Sequence, residues 1–503
     1  MTVADQSSTE FGPFKDAEFK QALQQLRRAD NFTNFFYLFG VYLILALTIG
    51  GVVAFFEFHA AWGMHWAWGI PLSLIAIVVV GASQHQLAGG AHEATHRTLF
   101  KNRYLNELIS DWFCMFPLFS STFTFRLHHL AHHQFINDLE RDPDCAQLIT
   151  SGHWLDFPLP KHQLHRALLG FLWIPSLVRY MIVRARYSAI GVEDQVYKKK
   201  KAEKNARIPM RTGLVYLLLL IGACVALLRV GNPWLLLAVP LAMWTVLATI
   251  LFLLPDRLYP QRRLKPVFSP KSFAMQRTAF LTMLFSGITA LQLITGAPVA
   301  VYFLLFWVVP MFTAFSMFMI LRQVVQHGNA DRGWLTNTRI FLVNFFIRYA
   351  VFPFGMDYHL PHHMFATIPH YRLPKLHDLL SKYPDYQKKG IVVEGYFLPR
   401  GRSESRNPTV LEVLGPEYAQ NAADVFIDHS VLDGWEVEER EDLKDAERSS
   451  AADSPTDSPT DSSMDSSMDS SMDSPTDSSA DSSTDTSMAD AETSEAPAAR
   501  ETD

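Results

Sequence analysis

The sequence predicts an all-α membrane protein of about six transmembrane helices paired in hairpins, with interfacial helices and a cytoplasmic histidine-rich site. Three observations predict it. The 503 residues are 49% hydrophobic and 13% aromatic, and the apolar residues fall in runs that reach the roughly 20 residues needed to cross a bilayer. Basic residues gather in some connections between these runs and are absent from others, which sets orientation by the positive-inside rule. Finally, histidines cluster in HEATH (His92, His96), HLAHH (His129, His132, His133) and HLPHH (His359, His362, His363).

The spanning runs lie at about residues 33–56, 67–90, 213–230, 233–255, 278–296 and 298–321. The fifth is the most polar, carrying Thr278, Thr282, Ser286 and Gln292. Residues 1–32 form a polar N-terminal segment in which Phe19, Leu23 and Leu26 share one helical face after Asp16. It lacks the short apolar core of a cleaved signal peptide, so the first span is expected to act as its own insertion signal. WGMHW, VGNP and TGAP contain no basic residue and read as outer turns. Arg27 and Arg28, Lys198 to Lys201 with Lys204, Arg207 and Arg211, and Arg257, Arg262, Arg263 and Lys265 mark cytoplasmic segments. On this topology both termini and all three histidine clusters face the cytoplasm.

Shorter apolar stretches at 105–119, with Asp111 and Pro117, and at 167–178, with Pro175, read as interfacial helices. Residues 339–356 read the same way, with a break at Pro353 just before the last cluster. The membrane domain is thus expected over residues 33–385. Residues 386–435 would form a small cytoplasmic segment, with GIVVEGYF as a short strand and LEVLGPEYAQNAADVF as a helix. Residues 436–503 carry 21 acidic and 4 basic residues, a net charge of −17 against +11 for the rest. Nine acidic Ser/Thr-rich tetrads such as DSPT and DSSM run from Asp453 to Met488. Such a composition buries too little apolar surface to offset ordering, so a disordered, solubilising tail is expected.

Cys114, Cys145 and Cys224 have no CxxC spacing and indicate neither a disulfide framework nor a thiolate metal site. The histidines are another matter, because residues three or four apart on a helix point the same way. Alone, HEATH matches HExxH, in which two histidines hold zinc and Glu93 would activate water for peptide hydrolysis. A membrane zinc protease would leave the other six clustered histidines unexplained. Eight are too many for one ion, which takes about four protein ligands, and suit two ions with open positions. Imidazole accepts iron, zinc or copper, so ligand type does not name the metal. Isolated His59, His65 and His153 read as structural, while His85, two turns before His92, reads equally as a support for the cluster or as packing.

The order HEATH, HLAHH, HLPHH on one side of paired spans resembles the integral-membrane fatty acid desaturase superfamily, which includes lipid and carotenoid hydroxylases and ketolases. HHQFINDLERDPD and DYHLPHHMFATIPHYRLPKLH resemble the segments around that family's second and third boxes, and the likeness covers roughly residues 35–385. Asp357 and Pro361 depart from the family's usual third box, and six spans exceed the four of its best-known members. The resemblance implies two irons held by histidines of the three boxes and by one more upstream of the third, where His327 in QHGN is the match. It further implies oxygen as co-substrate and fatty acyl desaturation, with hydroxylation as the alternative outcome.

No side-chain nucleophile is required beyond the metal centre, and Glu93, Asp138, Asp142, Asp144 and Asp357 are expected to orient rings or hold helices. The substrate is expected to be a lipid acyl chain reaching the site from the membrane. Trp112, Phe113, Phe116, Phe123 and Phe125 read as tunnel walls or interface anchors. With no dinucleotide fingerprint and no fused haem or iron–sulfur domain, electrons must come from a separate carrier such as a ferredoxin or a cytochrome b5-type protein. The Lys198 to Arg211 run is a docking candidate for an acidic one. No nucleic-acid partner is expected.

Overall fold

The computed structural model describes residues 14, 16–190, 197, 203–260, 262–397, 407–419, 425–433 and 435–437, the side chains of 189, 190 and 203–207 excepted. The chain divides into Met1–Glu439 and Arg440–Asp503. The second unit, which holds nearly all of the acidic tail, lies outside the described residues, as does the Lys198 to Lys201 run.

Six helices are long and apolar enough to cross a membrane: Thr33–Phe58, Trp66–Thr95, Ile208–Val230, Pro233–Leu253, Pro270–Thr295 and Val299–His327. Each of the three turns without basic residues closes a hairpin. Gly231 and Gly296 adopt left-handed φ values of 71° and 72° where the chain reverses, a conformation that costs glycine little. Asn232 then caps the fourth span by accepting from the Trp234 and Leu235 amides at 2.9 and 3.3 Å. Large apolar side chains such as Phe36, Leu47, Leu218, Trp234 and Phe252 stay exposed along the spans, as a lipid-facing surface requires.

The second span is the centre of the packing. From Val80 to His96 every residue except Ala88 is buried, so Ser83, Gln84, His85, Gln86, His92 and Glu93 are enclosed by protein. Lipid would make those polar groups costly. Gln84 Nε2 donates to the Trp307 carbonyl at 2.7 Å and Gln86 Nε2 to that of Tyr349 at 2.6 Å. Gly81 permits the closest approach, since a Cβ there would lie 2.6 Å from Ala314 Cβ and 2.7 Å from the Phe315 nitrogen. The sixth span is π-helical at Leu304–Val308 and Met311–Phe315, on either side of Pro310, where the missing amide of proline disrupts the regular ladder.

The polar fifth span has the lowest mean hydropathy of the six, 1.5, and its threonines are satisfied within the protein, whereas Ser286 Oγ is buried without a partner. Thr278, Thr282 and Thr289 donate to carbonyls one turn back at 2.7–2.9 Å, and Thr282 also meets the Tyr216 hydroxyl of the third span at 2.5 Å.

The remaining elements agree with the sequence in part. Ala17–Leu26 is a helix capped by Asp16, which accepts from the Phe19 amide at 2.6 Å. Its buried Phe19 and Leu23 join the cluster containing Phe365, Leu373 and Leu376. Arg103–Ser110 is helical and becomes π-helical at Asp111–Met115, ending before Pro117. Lys161–Phe171 and Ile174–Ser188 meet at 79°, two helices where one interfacial segment was expected.

Residues 339–356 are a correction. Arg339–Leu342 (β1) is a strand paired in parallel with Ile391–Glu394 (β2), Arg339 opposite Ile391, and only Phe345–Val351 is helical before the Pro353–Gly355 turn. Arg339, Ile340 and Phe341 are fully buried. The β-branched IVVE run, the anticipated strand, supplies their backbone partners, so Arg339–Leu342 belongs to the core, while Phe345 and Phe346 of the helix that follows stay exposed. The helix expected at LEVLGPEYAQNAADVF is a single turn, Val410–Val413, with a Thr409/Glu412 capping box. Gly415-Pro416 stops it, and residues 420–424 lie outside the described set.

Candidate metal centre

Three helices deliver the clusters. HEATH ends the second span, so His92 and His96 project one turn apart from its last buried turn. HLAHH lies on Thr122–Gln134, whose start is fixed by Ser121 Oγ accepting from the Thr124 amide at 3.1 Å. HLPHH forms the short helix His359–Met364. Phe354 and Gly355 redirect the chain into it with left-handed φ values of 48° and 72°. Pro361 falls in its first turn, where an amide has no helical acceptor and proline removes nothing.

All nine histidines singled out in the sequence converge, and they sort into two sets. One ring nitrogen from each of His92, His96, His129, His133 and His362 lies within 4.8 Å of the others, and the same holds for His132, His327 and His363. His359 completes the second set, with Nε2 2.9 Å from that of His327 and 3.1 Å from that of His363. The stacked rings of His133 and His363, centroids 4.1 Å apart, join the two sets. Eight of the nine are buried and His327 is half-buried.

This arrangement fits metal and is poorly explained without it. Neutral imidazole offers one N–H and one lone pair, so several Nε2 atoms converging at 2.9–3.1 Å cannot all be satisfied by one another. Both nitrogens of His92, and Nδ1 of His133, His359 and His362, are buried without a hydrogen-bond partner. Burial, reinforced by neighbouring histidines, holds His129, His133, His359 and His363 well below the ordinary imidazole pKa and His362 at about 3. Their lone pairs are therefore free at neutral pH. His132 differs: burial opposes its charge, but the Asp142 and Asp144 carboxylates outweigh it and raise the pKa.

The carboxylates divide into distinct duties. Asp142 places both oxygens 3.0 Å from His132 Nδ1. Asp144 meets His128 Nε2 at 2.7 Å. Asp138 joins Arg141 and Arg332 at 2.7 and 2.9 Å, and Asp357 joins Arg348 at 2.9 Å, so both hold loops. Glu93 accepts from Thr98 Oγ1 and the His370 amide, each at 2.9 Å, and its nearest approach to the His92 ring is 3.7 Å. That commits it to tying the end of the second span to the segment after HLPHH, a poor position for the water-activating glutamate of a zinc protease.

His85 uses both ring nitrogens, Nδ1 2.8 Å from the Ala350 carbonyl and Nε2 accepting from Arg322 at 3.1 Å, so it supports the cavity wall and is no ligand. His153 is buried between the Ser151 and Ser176 hydroxyls at 3.0 and 2.9 Å, the structural role expected. Of the five aromatics, Phe125 alone lines the cavity beside the histidines and stacks on His129 with centroids 5.6 Å apart. Trp112 and Phe116 instead pack against Phe280 of the fifth span.

Sequence reasoning passed over His128, which immediately precedes HLAHH, and Arg126. Arg126 is fully buried; it pairs bidentately with Glu107 at 2.5 and 3.0 Å and donates to the Ala94 and Thr95 carbonyls at 2.8 and 3.3 Å. It thereby satisfies the carbonyl end of the helix that carries HEATH. Asn337 was also unmarked; its carbonyl lies 3.2 Å from His327 Nδ1.

Six apolar helices, two of which end in a buried, all-histidine double cluster, define a membrane protein with a site that fits metal. The chain belongs to the fatty acid desaturase family, which matches it over residues 71–259 and 249–393. It is also similar to the dihydrorhizobitoxine desaturase of Bradyrhizobium elkanii, with 32% identity over 136 residues, 25% of this chain and 36% of that protein. The chain thus matches about a third of that relative's length. No solved structure matches it.

Proposed function

We propose that this protein is an oxygen-dependent di-iron desaturase of acyl chains, with nine histidine ligands on the cytoplasmic side of a six-span membrane domain. The observation that carries the reading is the division of the histidines into sets of five and four. Sets of this size match two ions, the smaller leaving more room for an exogenous ligand. Bound iron would supply the oxygen activation. The chain's own residues set the conditions: Asp142 and the Asn337 carbonyl hold the His132 and His327 rings, Phe125 covers His129, and burial excludes bulk water.

Converting a CH2–CH2 pair to an alkene removes two hydrogens and two electrons, while reducing O2 to two waters consumes four electrons and four protons. The remaining two electrons come from a separate carrier, a ferredoxin or a cytochrome b5-type protein, and the remaining two protons from water. The basic connections support the cytoplasmic placement.

Expression in a host of simple lipid composition, followed by mass spectrometry of its lipids, tests the reading. A new double bond that disappears in His132→Ala is expected. Zinc as the bound metal under iron-replete expression, with no oxygen-dependent product, overturns it.

A further inference from the structure

Beside the histidines lies a cavity whose wall is not apolar throughout. Arg184 and Arg322 both line it, together with Asp144, Gln326, Met356 and His128. Arg184 comes from the helix Ile174–Ala185 and is buried; Arg322 comes from the last turns of the sixth span. Arg322 is half-buried, and such a pair beside the proposed oxidising centre demands an explanation, because guanidinium groups withdrawn from water are ordinarily paired with anions.

Here the pairing is incomplete. Arg184 donates through Nη1 to Gln147 Oε1 at 3.2 Å. Arg322 donates through Nε to His85 at 3.1 Å and through Nη1 to Gln326 Oε1 at 3.1 Å and Met356 Sδ at 3.4 Å. All of these acceptors are neutral, and thioether sulfur is a weak one. Among the described residues no protein acceptor meets Nε or Nη2 of Arg184 or Nη2 of Arg322, and none of these three atoms is a sealed-off orphan. The one carboxylate in the wall, Asp144, is already bound to His128 at 2.7 Å and lies 3.8 Å from His132. Two guanidinium cations face one engaged carboxylate, so the wall keeps N–H donors and positive charge that no protein anion matches.

We infer that Arg184 and Arg322 form a carboxylate-binding subsite beside the metal centre, and that the substrate enters it as a free monoanionic acid. The inference rests on the desaturase reading and narrows its substrate class. A guanidinium fork matches the two oxygens of a carboxylate, and a cavity of about 20 Å³ favours the planar carboxylate over the larger tetrahedral phosphate. An ester or thioester brings no charge and leaves the guanidinium groups unmatched. Because the two arginines and His92, His129, His132, His327 and His359 line the same cavity, the carbons oxidised lie close to the charged end of the molecule.

The test is ligand binding to the full-length, metal-loaded protein in detergent, without oxygen or electron donor, using octanoate, octanamide and octyl phosphate. Octanoate is expected to bind at least about tenfold more tightly than octanamide, the range of a charged hydrogen bond, and more tightly than octyl phosphate. Arg184→Gln and Arg322→Gln should each erase most of that preference, and Arg322→Lys should retain part of it. Equal binding of octanoate and octanamide by the unaltered protein overturns the inference, whatever the variants do. A preference undiminished in both glutamine variants also overturns it, since the metal ions would then be the anion acceptor, and stronger binding of octyl phosphate overturns the carboxylate assignment. Because no turnover is measured, loss of the desaturase reading through absent product would leave this result legible by itself.

Discussion

Asp142 holds the His132 ring from behind, both carboxylate oxygens 3.0 Å from Nδ1. Among the described residues no other carboxylate is within hydrogen-bonding distance of any of the nine rings, the next being Glu93 at 3.7 Å from His92 and Asp144 at 3.8 Å from His132. A carboxylate on the far nitrogen fixes the tautomer and makes the metal-facing nitrogen a better donor. Asp142→Asn should therefore weaken metal retention about 10- to 100-fold, read as metal lost during a graded chelator challenge. Asparagine still caps the helix Pro143–Ser151, so folding should be little affected, and Asp144→Asn should lose less metal.

The Arg126–Glu107 pair is a structural lock. Arg126→Met leaves the Glu107 charge buried and takes one donor from each of the Ala94 and Thr95 carbonyls, a loss of about 3–5 kcal/mol for a broken buried pair. The thermal midpoint in detergent should fall sharply. Adding Glu107→Gln should recover part of it, because the stranded charge is gone.

Glu93→Gln separates this site from a peptidase. The carboxylate serves Thr98 and His370, and the amide oxygen of glutamine can still accept from one or both. Iron content should stay at the unaltered level, with a stability cost of about 1–3 kcal/mol. The oxidation proposed above should persist in the variant, and loss of the bound metal would contradict the assignment.

Gly81 is a packing site. Gly81→Ala places a methyl group 2.6 Å from Ala314 Cβ and 2.7 Å from the Phe315 nitrogen, and since backbone cannot yield cheaply, a cost of about 1–3 kcal/mol is expected. Gly50→Ala, where nothing lies within 4 Å, should not lower the thermal midpoint, since alanine is the better helix former.

The six spans were legible because bilayer length imposes a run that composition alone reveals, and eight of the nine histidines because helical spacing puts one-turn neighbours on one face; His327 was legible only through the family resemblance. The allotment of those histidines to two sets was not legible. It depends on how Thr122–Gln134 sits between the other two carriers, so that His129 and His133 face one set while His132, on the same helix, faces the other. Arg339–Leu342 misled because a buried strand and an interfacial segment share an apolar composition, and only the pairing with Ile391–Glu394 separates them. Arg126, Arg184 and Arg322 looked like ordinary cations, since nothing local marks a guanidinium whose partners lie far along the chain.

The central claim is that the histidines hold two ions, and metal stoichiometry tests it most directly. Protein purified without oxygen and loaded with iron(II) should saturate at about two irons per chain, and the double variant His327→Ala/His359→Ala, which strips the four-histidine set of half its ligands, at about one. Saturation of the unaltered protein at a single iron, or loss of both ions together in a variant that keeps its fold, would contradict it.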